Sequence, residues 1–206
     1  MKACREGQLA EQGFMNVNRS NVIMGEVPPA AIVPPLDRLW SYWLRLKTQG
    51  NAPIPAKSEI RISGLGAILP HIVISERLGE DEVMIRLAGT AMEETIGRPL
   101  TGMNLLNLTP PSQRKEIANV YTNLLKQPCG FFISESLRAD GGKKYMLAAL
   151  VLPLAAKDGE ARFTIGQYAV RNHGFEADKI KSGAVIEHRQ IDSFGFIDVG
   201  FGWPET

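Results

Sequence analysis

The stretch that decides the fold runs from Leu69 to Gly102 and reads LPHIVISERLGEDEVMIRLAGTAMEETIGRPLTG. Two runs rich in β-branched and apolar residues flank a polar turn at Gly79-Glu80-Asp81, which predicts two antiparallel strands joined by a hairpin. Thr90 and Glu93 then have the spacing of a capping box, in which each side chain accepts a hydrogen bond from the other residue's amide. The helix that begins there must be short, because Gly97 favours a left-handed stop and a proline follows it.

Downstream of this stretch, the predicted elements are one longer helix and a three-stranded meander. The helix is predicted to begin with Thr109 as its cap. Strands are predicted over 131–138, 144–152 and 162–170, and Pro153 is expected to end the middle one. That strand is apolar on both faces, which predicts a central position with cover on each side. The buried stripe of the helix comprises Ile117, Val120, Tyr121, Leu124 and Leu125.

An amphipathic helix is predicted over residues 36–49, upstream of the strands. Its apolar side chains recur at helical spacing, and Pro35 and Gly50 are typical of the two ends. Trp40 and Trp43 share the apolar stripe and bury a large area. The helix therefore covers the sheet of its own chain or packs on the same helix of a second copy.

A family resemblance rests on three short motifs: Leu69-Pro70-His71, Arg86-Leu87-Ala88-Gly89-Thr90 and Gly97-Arg98-Pro99-Leu100-Thr101-Gly102. In these motifs and in its order of elements, the chain from Leu36 to Val170 resembles a bacterial family of PAS-like single-domain proteins. The resemblance implies an α+β fold, a PAS-like five-stranded antiparallel sheet with short helices on one face. The N-terminal amphipathic helix is additional to this sheet.

Three parts are predicted along the chain. Residues 1–35 form a flexible N-terminal arm, either a disordered tail or a segment that binds a partner. Residues 36–174 form the PAS-like domain, which includes the helix 36–49. Residues 175–206 form a C-terminal extension. Its apolar side chains are too many to stay exposed to solvent, so it is expected to dock on the domain or on a partner as an extended segment.

Composition excludes several classes of protein. A net charge of +1 argues against a nucleic-acid surface, which needs a clustered excess of Lys and Arg. No apolar run approaches the ~18 residues of a membrane span, and the charged start does not have the pattern of a signal peptide. Cys4 and Cys129 are too few for a disulfide framework. We therefore expect a reduced, cytoplasmic protein.

Recognised catalytic and cofactor motifs are absent from the sequence. His71, His173 and His188 have no second ligand at metal-binding spacing, and there is no nucleophile elbow or phosphate-binding loop. The resemblance implies that a haem sensor would carry a histidine on the longer helix, and a flavin photoreceptor a cysteine after the short helices. Neither residue is present. We expect no enzymatic activity, no metal and no cofactor.

A ligand cavity between the sheet and the short helices is the remaining possibility for a site. The strand alternation places Arg86 on one face with Met84, where it would form an internal ion pair or hold an anionic ligand. The predicted ligand-binding residues are Arg86, Met92, Ile96, Leu105, Tyr121, Phe132 and Met146.

The resulting functional hypothesis is a non-catalytic sensory or regulatory module in signal transduction. It binds a small ligand, a protein partner or both, and forms a homodimer through the Trp40/Trp43 helix. One alternative is a purely structural dimerisation or interaction domain with a filled core. Another is a small enzyme whose catalytic residues have no recognised pattern.

Overall fold

The strands and helices are defined in a computed structural model that describes residues 32, 34–108, 111, 114–139, 142, 144–172, 186–202 and 204. In this part of the chain, the strands are β1 (Ile72–Gly79), β2 (Glu82–Ala88), β3 (Cys129–Ala139), β4 (Lys144–Ala155), β5 (Ala161–Asn172) and β6 (Ile186–Asp198). The α-helices are α1 (Asp37–Gln49), α2 (Ile62–Leu65), α3 (Thr90–Ile96) and α4 (Arg114–Lys126). Shorter 3-10 helices span Lys57–Glu59, Gly66–His71 and Leu105–Leu108.

One antiparallel sheet joins all the described strands in the order β2-β1-β5-β4-β3-β6. The predicted α+β fold is confirmed, with one strand more than the predicted five. The additional strand, β6, comes from the C-terminal extension and pairs along β3 from Cys129↔Asp198 to Ala139↔Ile186. Its apolar residues Phe196 and Ile197 are buried there, which explains why so apolar a segment continues the sheet.

Strand β4 occupies a central position between β5 and β3, as its apolar sequence predicts. Pro153 was expected to end this strand, and that prediction is wrong, since β4 continues to Ala155. Pairing with β3 stops at Phe131↔Val151, whereas β4 still pairs with β5 at Pro153↔Thr164. The proline therefore lies where β4 no longer needs an N–H group for β3, and the sheet tolerates it.

Helix α1 covers one face of the sheet, called here the α1 face. Trp43 is fully buried and its Nε1 donates a hydrogen bond to the carbonyl oxygen of Pro153 at 2.9 Å. Trp40 is half-buried and stacks on Trp43, with ring centroids 6.1 Å apart. The sequence allowed α1 to pack on its own sheet or on a second copy, and the structure shows α1 packed on its own sheet. The core of this face includes Leu39, Trp43, Ile72, Ile74, Leu150, Leu152, Leu154, Ile165 and Ile197.

The opposite face, called here the helical face, is covered by α3, α4 and the 3-10 helix Leu105–Leu108. Helix α4 buries Tyr121, Leu124 and Leu125, while Ile117 and Val120 of its predicted stripe are half-buried. The predicted cap at Thr109 lies outside the described residues.

The predicted capping box at the start of α3 is wrong. Gly89 occupies the N-cap position, Thr90 is the first helical residue, and no side chain caps the helix. A Cβ atom on Gly89 would lie 2.3 Å from two backbone carbonyl oxygens, so this cap has no room for a side chain. The Glu93 carboxylate instead accepts a hydrogen bond from the amide of Leu100 at 2.9 Å. As predicted, Gly97 ends the helix with a left-handed φ of 79°.

Candidate functional site

Three of the seven predicted ligand-binding residues lie together on the helical face. Tyr121 is buried in a cluster with Val83, and half-buried Leu105 packs against that cluster. Leu105 and half-buried Met92 also pack against the neighbouring cluster that includes Ile85. These two neighbouring clusters together are called here the inner cluster. It contains Val73, Val83, Ile85, Leu100, Leu106, Ala118 and Tyr121, with Met92, Met103, Leu105, Leu108 and Tyr168 packed against it.

The other four predicted residues lie elsewhere, and the structure corrects their placement. Phe132 packs against the core of the α1 face. Met146 is 47% exposed and lies two residues before Ala148 on β4, so it shares the α1 face, against whose core Ala148 packs. Ile96 is 44% exposed at the end of α3. The reason is the period of two in a strand: Phe132 pairs with Leu150, so both point away from Tyr121.

Arg86 is the fourth predicted residue that lies outside the inner cluster, and it forms an ion pair within the sheet. Its Nε lies 2.6 Å from Oε2 of Glu76 on the neighbouring strand, and its side chain is 42% exposed. The register shift opposite Ile74 and Ser75 leaves Arg86 as the extra residue of a β-bulge. Of the two roles that the sequence allows, the structure shows an ion pair, at the surface of the sheet.

A pair of tyrosines forms the polar centre of the inner cluster. Tyr121, on α4, is 4% exposed and makes a side-chain hydrogen bond with Tyr168, on β5. Burial raises the pKa of Tyr121 well above its ordinary value, and Tyr168 adds to this shift through its charge and the hydrogen bond. The Tyr121 ring also makes an edge contact with Phe131 at 6.2 Å between centroids. Tyr121 is therefore a neutral, hydrogen-bonded phenol in an apolar environment.

Sequence reasoning missed several polar residues on the helical face. Tyr168 follows Gly166 at strand spacing, and Glu135 follows Ile133, so alternation along the predicted strands was the available signal. Glu135 is 1% exposed, and Ser75 and Thr164, which pair across β1 and β5, are similarly buried. These side chains add buried polar groups at separate places on an otherwise mainly apolar face.

Cys129 begins β3 and is buried among Leu124, Leu125 and Phe131. Burial raises the pKa of its thiol to about 12, and the nearby charge of Asp198 contributes to the shift. A thiol with this pKa is protonated at neutral pH and is a poor nucleophile. Cys129 therefore acts as a small apolar core residue.

A second group of interactions holds residues 198–202 and is called here the C-terminal clamp. Asp198 Oδ1 accepts hydrogen bonds from the amides of Gly200, Phe201 and Gly202 at 2.6, 3.0 and 2.9 Å. Lys47 of α1 donates to the carbonyl oxygen of Val199. Gln127, just after α4, donates from Nε2 to the carbonyl oxygen of Phe201 at 2.8 Å. The clamp thus connects helices that lie on opposite faces of the sheet.

Two further classes of site are absent from the described residues. No group of three or more His, Cys, Asp or Glu side chains there has a geometry that could hold a metal ion. None of the helices in the same part of the chain is both long and apolar enough to cross a membrane.

Comparison with known families adds to this geometry. A family model described as PAS domain matches residues 32–169, which include α1 to α4 and most of the sheet. The chain belongs to the PAS domain family. PAS domains are sensory and signalling modules, and this PAS protein is placed in that broad class. No curated protein matches the chain.

Solved structures similar to this PAS protein include three light-oxygen-voltage (LOV) proteins. A light-oxygen-voltage domain studied with a flavin analogue has 16% identity and a TM-score of 0.40, with 54% of this chain and 84% of that chain covered. An RNA-binding light-oxygen-voltage receptor has 19% identity and a TM-score of 0.33, with 55% and 34% covered. A fungal LOV domain photoreceptor has 16% identity and a TM-score of 0.32, with 64% and 90% covered.

Proposed function

We propose that this PAS protein is a non-catalytic regulatory module of the cytoplasm that binds a small, mainly apolar ligand at the inner cluster. The observation that supports the proposal is the buried Tyr121–Tyr168 pair, with half-buried Met92 and Leu105 around it. Such a lining, apolar with few polar groups, is typical of small-molecule sites. The tyrosine hydroxyls would orient one polar group of the ligand.

Helix α3 supplies a route for that ligand. None of its residues is buried, although it lies over the inner cluster with Met92 half-buried beneath it. Its position depends on contacts with the 3-10 helix Gly66–His71 and on the hydrogen bond from the Leu100 amide to Glu93. A helix with so little buried area needs little free energy to move aside. Binding under α3 would then change the surface that a signalling partner contacts.

The absence of catalysis is part of the proposal. Tyr121 and Cys129 are two buried groups with nucleophilic chemistry in the described residues, and both have raised pKa values that keep them protonated near neutral pH. A regulatory role by binding requires neither group to react. Turnover in a broad hydrolase and oxidoreductase screen would contradict this part of the proposal.

The second candidate function is a dimerisation module with a filled core, and Trp40 favours it. Trp40 is only half-buried although it stacks on fully buried Trp43, so one side of its indole remains available to a second copy. Dimer formation would bury this side chain at the edge of α1. Trp40→Ala is the suitable test, because Trp43 holds the chain's own core and its loss would unfold the protein.

One experiment separates the two candidates. Native mass spectrometry of the purified protein reads ligand mass and oligomeric state together, and titration with 1-anilinonaphthalene-8-sulfonate probes the inner cluster. We expect Met92→Trp to fill the site and weaken probe binding by at least about tenfold, with Met146→Trp on the opposite face as the matched control. No bound molecule, no probe binding and a dimer that Trp40→Ala dissociates would instead support the dimerisation module.

A further inference from the structure

An exposed cationic patch is built around Tyr42, away from the inner cluster. The phenol oxygen of Tyr42 accepts a hydrogen bond from the amide of Arg61 at 2.9 Å, and the guanidinium carbon of Arg45 lies 5.4 Å from the ring centroid. Gly64 packs on the same ring, since a Cβ atom there would lie 2.5 Å from Tyr42 Cε2. The buried ring therefore fixes two arginines and the start of α2 relative to one another.

Three arginines and one isoleucine form this surface, called here the arginine patch. Arg38 precedes Tyr42 by one helical turn and lies on the same stripe of α1 as Arg45. Arg38, Arg45 and Arg61 are all exposed, and none forms an ion pair with another described residue. Ile62, next to Arg61, is 62% exposed, more than any other large apolar side chain described. Exposed arginines around an apolar side chain suit a partner with carboxylates around an apolar side chain.

The tip of the β1–β2 hairpin has that complementary chemistry. Glu80, Asp81 and Glu82 are exposed, and their carboxylates form no ion pair with another described residue. Leu78, beside them, is 47% exposed. The hairpin tip therefore presents three acidic side chains and one apolar side chain. The arginine patch likewise has three charged side chains and one apolar side chain, but its charges are positive.

In chain order, Arg61 and Ile62 precede β1 and the hairpin tip follows it. Residues Gly66–His71 lead from α2 to the start of β1, whereas the hairpin tip follows its last residue, Gly79. Eight residues of extended strand separate these ends, a distance of about 25 Å. The length of this strand favours a contact between two molecules over a contact within one chain.

We propose that the arginine patch of one molecule binds the β1–β2 hairpin tip of a second copy. The contact is head-to-tail, because each copy contributes a different surface, and repetition of it gives open chains of molecules. Exposed ion pairs are weak and are screened by salt. The association is therefore reversible, dependent on concentration, and lost at high ionic strength. It is distinct from the apolar dimer contact proposed above for Trp40.

A charge-swap experiment tests the contact. One variant carries Arg45→Glu and Arg61→Glu, and the other carries Glu80→Lys and Asp81→Lys. Sedimentation velocity at about 25 mM and 500 mM salt, over a hundredfold range of protein concentration, measures the association of each variant alone and of an equimolar mixture. Trp40→Ala is included in every sample, so that a dimer through α1 does not contribute.

The expected result has three parts. The unswapped protein associates with rising concentration at low salt and not at high salt. Each swapped variant alone remains unassociated, because its patch and its tip then carry the same sign. The mixture associates again, because the two variants are complementary. The proposal is overturned if the unswapped protein does not associate at low salt, if either variant alone still associates, or if the mixture does not. The charge swaps are at exposed residues, and circular dichroism of each sample tests whether the variants remain folded.

Discussion

Glu93 shows how a tertiary contact can take a carboxylate that local spacing assigns to a helix cap. At the residue scale, the spacing Thr90–Glu93 favours a capping box, but the backbone of Leu69 and Pro70 passes so close to Gly89 that the helix begins one residue earlier. The Glu93 carboxylate then becomes available to Leu100, seven residues later. Its role is to hold the loop after α3 against the domain.

Substitutions at these two positions give the first prediction. Glu93→Ala leaves the amide of Leu100 without its partner, and Leu100 is only 2% exposed. We therefore expect the free energy of unfolding to fall by about 1–2 kcal/mol. Thr90→Ala removes no described hydrogen bond and should change it by less than about 0.5 kcal/mol. Urea unfolding followed by tryptophan fluorescence measures both. An equal loss of free energy of unfolding in the two variants would contradict this prediction and support the capping box.

At the element scale, the C-terminal clamp is the described contact that joins α1, the end of α4 and β6 at one point. The amide of Gly200 is the largest cause that lowers the pKa of Asp198, and the amides of Gly202 and Phe201 and the charge of Lys47 act in the same direction. Slight burial opposes them. The ionised carboxylate therefore stabilises the clamp, and its protonation weakens it.

The second prediction follows from the direction of this shift. A carboxyl whose folded-state pKa is lowered contributes stability that is present above its ordinary pKa of 3.8 and is lost as the pH falls through the lowered value. Asp198→Asn keeps an acceptor oxygen but removes the charge, so its free energy of unfolding should decline less between pH 4 and pH 2 than that of the unchanged protein.

Urea unfolding at several pH values in this range measures the effect. Asp81→Asn is the matched control, because it removes the same carboxylate charge at an exposed residue whose carboxylate makes no described hydrogen bond or ion pair. Identical pH curves for Asp198→Asn and the unchanged protein would show that the clamp does not depend on charge.

At the scale of the whole molecule, β6 protects the edge of the PAS sheet. Without it, β3 would expose its unpaired backbone together with Phe131 and Ile133, which pair across to Phe196 and Phe194. A long apolar edge is a template for association with other chains. The opposite edge, β2, is covered differently, by hydrogen bonds between Ile85 and the loop at Gly102 and Met103.

The third prediction is that removal of residues 186–206 destabilises the protein. The loss of buried Phe196, Ile197 and Val199 removes on the order of 5 kcal/mol of apolar burial. We expect the thermal midpoint to fall by about 10–20 °C and soluble yield to decrease. Removal of residues 203–206 alone leaves the clamp in place and serves as the control. A shortened chain with the original midpoint would show that β6 is dispensable for the PAS fold.

The sequence by itself determined the elements and the class of fold. Apolar periods identified α1, the stripe of α4 and strands β1 to β5, and an apolar run on both faces identified β4 as central, because local spacing controls which side of an element can be buried. Only the tertiary structure decided which side chains meet. Phe132 and Tyr121 were grouped in one site, yet strand register places them on opposite faces, and β6 joined β3 because pairing partners lie far apart in the chain. Register and long-range pairing depend on the energy of the whole sheet, which no local stretch contains.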